Sequence, residues 1–162
     1  MGEQMKIQPQ EPIPTILYLD DDGANRQAFV SAFRRSNRVF TAADLAGAWE
    51  TLASEQVHIV IVDQRMPGIQ GSEVLGLIKE RYPAVRRMLM TGYSDIQAVI
   101  DAINRGGVSH YLSKPWNPEQ VGQAIATAFA DYRRDQDRNE YTQSLIDANR
   151  QLEFALRQRL LS

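Results

Sequence analysis

Val57-His58-Ile59-Val60-Ile61-Val62-Asp63 is the most apolar run in the chain, and it ends on a carboxylate. A near-continuous apolar run of this length suits a strand covered on both faces, as in a parallel sheet, better than a half-solvated strand with alternating character. The flanking sequence repeats the same plan. Upstream, Thr15–Asp20 reads as a strand, and Ala24–Arg35 as a helix with Phe29, Val30 and Phe33 on one face. Arg38–Thr41 is a short strand, and Asp44 caps a helix carrying Leu45, Ala48, Trp49 and Leu52. Downstream, Gly71–Tyr82 is a helix with Val74, Leu75 and Ile78 on one face, and Arg87–Thr91 is a strand. Asp95–Asn104 is a helix whose Ile96, Val99, Ile100 and Ile103 are expected to bury against the sheet, leaving Gln97 and Asp101 outward. Gly106-Gly107 stops it, Val108–Ser113 is the fifth strand, and a last helix starts at Pro118 after Asn117. Five strands alternating with helices imply βαβ units and a parallel sheet.

Composition narrows the function. The 162 residues suffice for one domain and an appendage, and 43% hydrophobic content is ordinary for a globular protein. A net charge of −2 gives no basic field for direct binding of nucleic acid or anionic lipid. The absence of cysteine excludes disulfides, thiolate metal sites and cysteine nucleophiles. His58 and His110 are too few for a histidine metal site; core or edge roles are expected of both. Met1–Pro14, polar and carrying three prolines, reads as a disordered leader and not a signal peptide. A cytoplasmic protein without membrane association is the expectation.

Ligands of parallel sheets bind beyond the carboxyl ends of the strands. Those ends carry Asp20, Asp21 and Asp22 after strand one, Asp63 after strand three, Thr91 after strand four, and Ser113-Lys114-Pro115 after strand five. Clustered carboxylates repel one another, and a hard divalent cation such as Mg²⁺ relieves that cost. Lys114 supplies a positive charge and Thr91 a hydroxyl donor, the groups needed to stabilise a transferring phosphoryl group. A carboxylate can accept that group as an aspartyl phosphate, and Asp63, ending the most buried strand, is the candidate acceptor.

These motifs, Ile16-Leu-Tyr-Leu-Asp-Asp-Asp22, Val62-Asp-Gln-Arg-Met-Pro-Gly68, Met90-Thr-Gly92 and Tyr111-Leu-Ser-Lys-Pro115, together resemble the receiver domain of two-component response regulators over Thr15–Tyr132. The wording around Asp63, Thr91 and Lys114 is similar to receivers of hydrogenase-type transcriptional regulators and of some cyclic-di-GMP phosphodiesterase regulators. The resemblance implies a flavodoxin-like (CheY-like) five-stranded sheet sandwiched by five helices. It implies Asp63 as phosphoacceptor, Lys114 and Thr91 on the phosphoryl oxygens, and Mg²⁺ held by Asp20, Asp21, Asp63 and the Arg65 backbone carbonyl. Of the acid pair, Asp21 is the direct ligand, and Asp22 stays peripheral. It further implies a cis bond between Lys114 and Pro115, Tyr111 as an aromatic switch alongside Thr91, and Arg65 and Tyr93 as tuners of phosphate lifetime. Both are bulky, so slow loss of phosphate is expected. The implied partner is a sensor histidine kinase or a phosphotransfer protein. The chain would catalyse only its own phosphorylation and dephosphorylation. A haloacid-dehalogenase-type phosphatase would want a second acid where Arg65 stands. A phosphorylation-independent interaction module that keeps the acidic pocket is the remaining alternative.

From Asp131 the sequence turns highly charged without glycine or proline, extending the last helix. Leu145, Asn149, Leu152, Leu156 and Arg159 recur at 4–3–4–3 spacing, a short heptad seam with Asn149 as a register-setting polar position. Residues 133–162 are therefore expected to form a helical linker that pairs as a coiled coil. A homodimer would use this helix and the face of the fourth helix, fifth strand and fifth helix, and the expected output is either an effector domain downstream or that of a stand-alone regulator.

Overall fold

The computed structural model describes residues 11–92 and 96–161. The first ten leader residues and Tyr93 lie outside the described residues. Five strands, β1 (Thr15–Leu19), β2 (Arg38–Ala42), β3 (Ile59–Asp63), β4 (Arg86–Thr91) and β5 (His110–Ser113), alternate with α1 (Gly23–Phe33), α2 (Leu45–Ser54), α3 (Gly71–Arg81), α4 (Ile96–Gly106) and α5 (Pro118–Leu161). The strands form one parallel sheet in the order β2-β1-β3-β4-β5.

The continuous apolar runs are explained by two cores. Leu17, Leu19, Val60 and Val62 point into one, against Ala48 and Leu52 of α2 and Val74, Leu75 and Ile78 of α3. Ile16, Tyr18, Ile59 and Ile61 point into the other, against Phe29 and Phe33 of α1 and Val121, Ile125 and Ala128 of α5. Alternate residues of one strand feed opposite faces, so the middle positions of β1 and β3 are apolar or aromatic and the carboxylate stands at the end of β3. The apolar runs overestimate the strands. Val57 and Val108 lie outside β3 and β5 and pack into the α2–α3 core instead, because an apolar run records burial and not ladder pairing.

Local sequence places the helix ends. Asp22 caps α1, accepting from the Ala24 and Asn25 N–H groups at 2.8 and 3.2 Å, and Asp44 caps α2 through the Gly47 N–H at 2.8 Å. Asn117 does the same for α5 through the Glu119 N–H at 2.8 Å. Gly107, at φ +56°, takes the left-handed conformation that ends α4. One expectation fails on α4: Ile100 and Ile103 do not bury but stand 45% and 58% exposed. Apolar spacing marks a face of α4, and such a face buries only where a neighbouring element covers it.

His58 anchors the amino edge of the sheet. Its Nδ1 accepts the Thr15 N–H at 2.9 Å, and its ring meets Phe129 and Tyr132 of α5 at 5.1 and 4.9 Å. Burial lowers its pKa below the ordinary 6.5, and an Nδ1 that accepts cannot carry a proton. The unfolded chain therefore binds more protons between the folded value and 6.5. Stability from this residue is complete above 6.5 and is lost as pH falls below it, by at most about 1.4 kcal/mol per pH unit. Urea midpoints should fall between pH 7.5 and 5.5 in the wild type. His58→Gln should flatten that slope, and a slope unchanged in the variant would refute the assignment.

α5 runs unbroken past the sheet. Arg86 holds it, donating to the Asp131 carbonyl at 3.1 Å and pairing with the Asp135 carboxylate. From Asp137 to Leu161 every residue is exposed, including Tyr141, Leu145, Ile146, Leu152, Phe154, Leu156 and Leu160.

Candidate functional site

The carboxyl edge of the sheet is aligned by backbone bonds that extend the ladders one residue past the strands. The Asp20 N–H donates to the Ala42 carbonyl at 3.1 Å, Gln64 to Met90 at 2.9 Å, and Lys114 to Thr91 at 2.9 Å. Asp20, Asp63, Thr91 and Lys114 are thus fixed at the same edge by the sheet itself.

Asp63 is 4% exposed. The Lys114 ammonium pairs with its Oδ1 at 2.5 Å. Burial pushes the Asp63 carboxyl above its ordinary 3.8, the Lys114 hydrogen bond and charge oppose that rise, and the Asp20 and Asp21 charges add to it. Burial has the larger effect, so the ionised carboxylate is less favourable here than in water. The carboxylates of Asp20, Asp21 and Asp63 each offer an oxygen within 4.8 Å of the others. Asp20 is fully buried, and Asp21 is exposed. Three carboxylate oxygens so placed fit a hard divalent cation, which prefers oxygen ligands and would remove their mutual repulsion. Asp22 is committed elsewhere, to the α1 cap.

The remaining expected residues fall as follows. Thr91 is buried at the end of β4, its Oγ1 3.4 Å from the Gly92 carbonyl. Arg65 is exposed on the loop between β3 and α3. Tyr111 is 44% exposed on β5. The Lys114–Pro115 peptide is cis. Trp116 packs beside Phe29 and Phe33, at ring distances of 6.1 and 5.7 Å.

Three supporting residues were not singled out from sequence. Gln64, 3% exposed, accepts the Ser72 N–H with its Oε1 at 2.9 Å, while its carbonyl accepts the Gly71 N–H at 3.0 Å. It ties the start of α3 to the end of β3. Asn25 donates to Asp20 Oδ2 at 3.1 Å, and Tyr18 donates to the same oxygen at 2.7 Å. A signal for Tyr18 existed, because residues two apart in a strand share a face.

Strand order and an aspartate cluster at the carboxyl edge define a flavodoxin-like doubly wound α/β protein with its site at the topological switch point. Within that class, the profile of the response regulator receiver domain matches residues 16–126, and the chain belongs to this family. It is 33% identical over 119 residues to the hydrogenase transcriptional regulatory protein HoxA of Bradyrhizobium diazoefficiens, covering 74% of this chain and 24% of that protein. It is 36% identical over 112 residues to the response regulator protein FleR of Pseudomonas aeruginosa, covering 68% and 24%. The signal receiver domain of an HD domain-containing protein from Pseudomonas fluorescens has a TM-score of 0.75 at 28% identity, covering 83% of this chain and 99% of that one. The chain spans about a quarter of the length of these two curated relatives. Among the described residues, no helix is long and apolar enough to cross a membrane.

Proposed function

We propose that the chain is a cytoplasmic phosphoacceptor module that receives a phosphoryl group on Asp63 from a histidine kinase or phosphotransfer protein. The observation that carries this reading is the buried Asp63 carboxylate paired with Lys114 at 2.5 Å and grouped with Asp20 and Asp21. An Asp63 oxygen attacks phosphorus, the bond to the donor breaks, and its electron pair leaves with the donor. Lys114 and Thr91 hold the phosphoryl oxygens as charge builds on them. Asp21, Asp63 and the Arg65 carbonyl, with Asp20 behind them, would hold Mg²⁺, which neutralises charge on the transferring group. The chain acts on itself and turns over no separate substrate. Slow loss of phosphate, through Arg65 and Tyr93, belongs to the same reading.

Incubation with Mg²⁺ and acetyl phosphate, followed by intact mass measurement, tests it. The wild type should gain the mass of one phosphoryl group; no gain, or an equal gain without Asp63, would refute it.

Phosphorylation then shifts a pre-existing equilibrium, through Thr91 and Tyr111, at the face formed by α4, β5 and α5. Ile100, Ile103 and Tyr111 already stand exposed on α4 and β5. The output is carried by α5 pairing with a second copy along Leu145, Asn149, Leu152 and Leu156, toward an effector domain of the kind found in transcriptional regulators. Leu152→Asp should weaken self-association at least tenfold in sedimentation equilibrium, as a charge at a coiled-coil seam position costs more than about 1.4 kcal/mol. Unchanged association would exclude this seam.

A further inference from the structure

Tyr18 lies in the middle of β1, with no exposed surface, and reads at first as core. A buried phenol must find an acceptor for its hydroxyl. Here the acceptor is Asp20 Oδ2 at 2.7 Å, with only the weak acceptor Met90 Sδ also in reach, at 4.0 Å. Asn25 donates to the same Asp20 oxygen at 3.1 Å, and the Asp22 N–H donates to Oδ1 at 2.9 Å. A carboxylate presents about four lone-pair directions. Three are filled by the protein, two of them on Oδ2, so what Asp20 still offers lies on Oδ1. The phenol ring is itself held: it stacks on Phe29 at 4.2 Å with 1° between planes, and Phe29 packs against Phe33 and Trp116. That aromatic group spans β1, α1 and the segment just after Lys114.

We infer that Tyr18 is a positioning residue for the cation site: its hydroxyl pins Oδ2 of Asp20, so that only Oδ1 faces the shared acid cluster. The inference rests on the reading of Asp20, Asp21 and Asp63 as a Mg²⁺ site. Two effects of the hydroxyl compete. Donation draws charge from Asp20 and weakens its attraction for a cation, while fixing the carboxylate spares the cost of orienting it on binding. Removing partners that orient ligands typically weakens metal binding 10–100-fold, so orientation is the larger effect.

Calorimetric titration of the full chain with MgCl₂ alone tests this, using wild type, Tyr18→Phe, Phe29→Leu and Asp21→Asn. Tyr18→Phe keeps the ring and its stack and deletes only the hydroxyl. It should bind Mg²⁺ about tenfold more weakly. Its phosphoryl uptake from acetyl phosphate should slow by a similar factor at limiting Mg²⁺ and return to the wild-type rate at saturation. Phe29→Leu loosens the stack but keeps the hydroxyl. It should lower the thermal midpoint in EDTA more than Tyr18→Phe while binding Mg²⁺ nearly as the wild type does. Mg²⁺ affinity unchanged or tighter in Tyr18→Phe, or losses that track the thermal midpoint across both variants, would overturn the role of Tyr18 and leave the cation site standing. Wild type that binds no Mg²⁺, or Asp21→Asn that binds it equally well, would overturn the site and the inference together.

Discussion

Asp63→Asn protein is expected to take up no phosphoryl group and yet, without Mg²⁺, to be more stable than the wild type. The first half follows from chemistry: an amide oxygen is a poor nucleophile, and among the described residues no other carboxylate is paired with Lys114. The second follows from the cost of the buried charge. Burial raises the Asp63 carboxyl above 3.8, against the pull of Lys114 and with added push from Asp20 and Asp21. For a carboxyl raised in the folded state, the folded protein binds more protons, so stability falls as pH rises from 3.8 through the folded value. Above the folded value that loss is complete. The neutral amide removes it, and Lys114, a third exposed, keeps access to water. A gain of about 1 kcal/mol is expected, in the range of single stabilising changes at functional sites. Mg²⁺ reverses the order. A cation at 100 times its dissociation constant stabilises the wild type by about 2.7 kcal/mol, and the variant has lost a ligand. Urea unfolding in EDTA and in MgCl₂ gives both comparisons; a wild type more stable than Asp63→Asn in EDTA would refute the buried-charge account.

Gly71→Ala should cost about 3 kcal/mol, near the upper end for inserting one methyl group into packed structure. A Cβ at Gly71 would come within 2.9 Å of the Asp63 carbonyl carbon and the Gln64 Cα, and closer still to the Asp63 carbonyl oxygen. All three are backbone atoms of the strand end that presents Asp63, so no side chain can swing aside. α3 must back away, and with it go the bonds from Gly71 and Ser72 to Gln64. Gly76 provides the contrast within the same helix: a Cβ there meets nothing within 4 Å. Gly76→Ala should stabilise by about 0.5–1 kcal/mol through helix propensity. For a chain of this size the two variants should then differ by about 10 °C in thermal midpoint. Phosphoryl uptake, measured where both are folded, should slow only in Gly71→Ala. Equal midpoints would show that the α3 start yields easily and that Gln64 does not hold it.

Much of this was legible in sequence because burial and chemistry left separate marks. The runs in β1 and β3 are apolar throughout since each feeds two cores, and that pattern suffices for a parallel sheet. Polar residues then stand out at the strand ends, and one edge collects them. Contacts that depend on side-chain direction were harder to see. Tyr18 sits in an apolar run and looks like filler until its hydroxyl is seen on Asp20. Gln64 follows Asp63 like any loop residue, yet its amide oxygen holds the first turn of α3. Ile100 and Ile103 have the spacing of a buried stripe, and only the placement of α4 shows that they face outward. Apolar spacing identifies a face without saying what covers it.

The unbroken α5 also has a mechanical consequence. The 26 residues from Gln136 to Leu161 make about 39 Å of helix beyond the Arg86 anchor. It behaves as a pointer pivoting at its root: a tilt of about 5° there, too small to disturb the packing of Val121, Ile125 and Ala128, sweeps the tip through about 3 Å. A small tilt at the Arg86 anchor is therefore magnified at the far end of the helix.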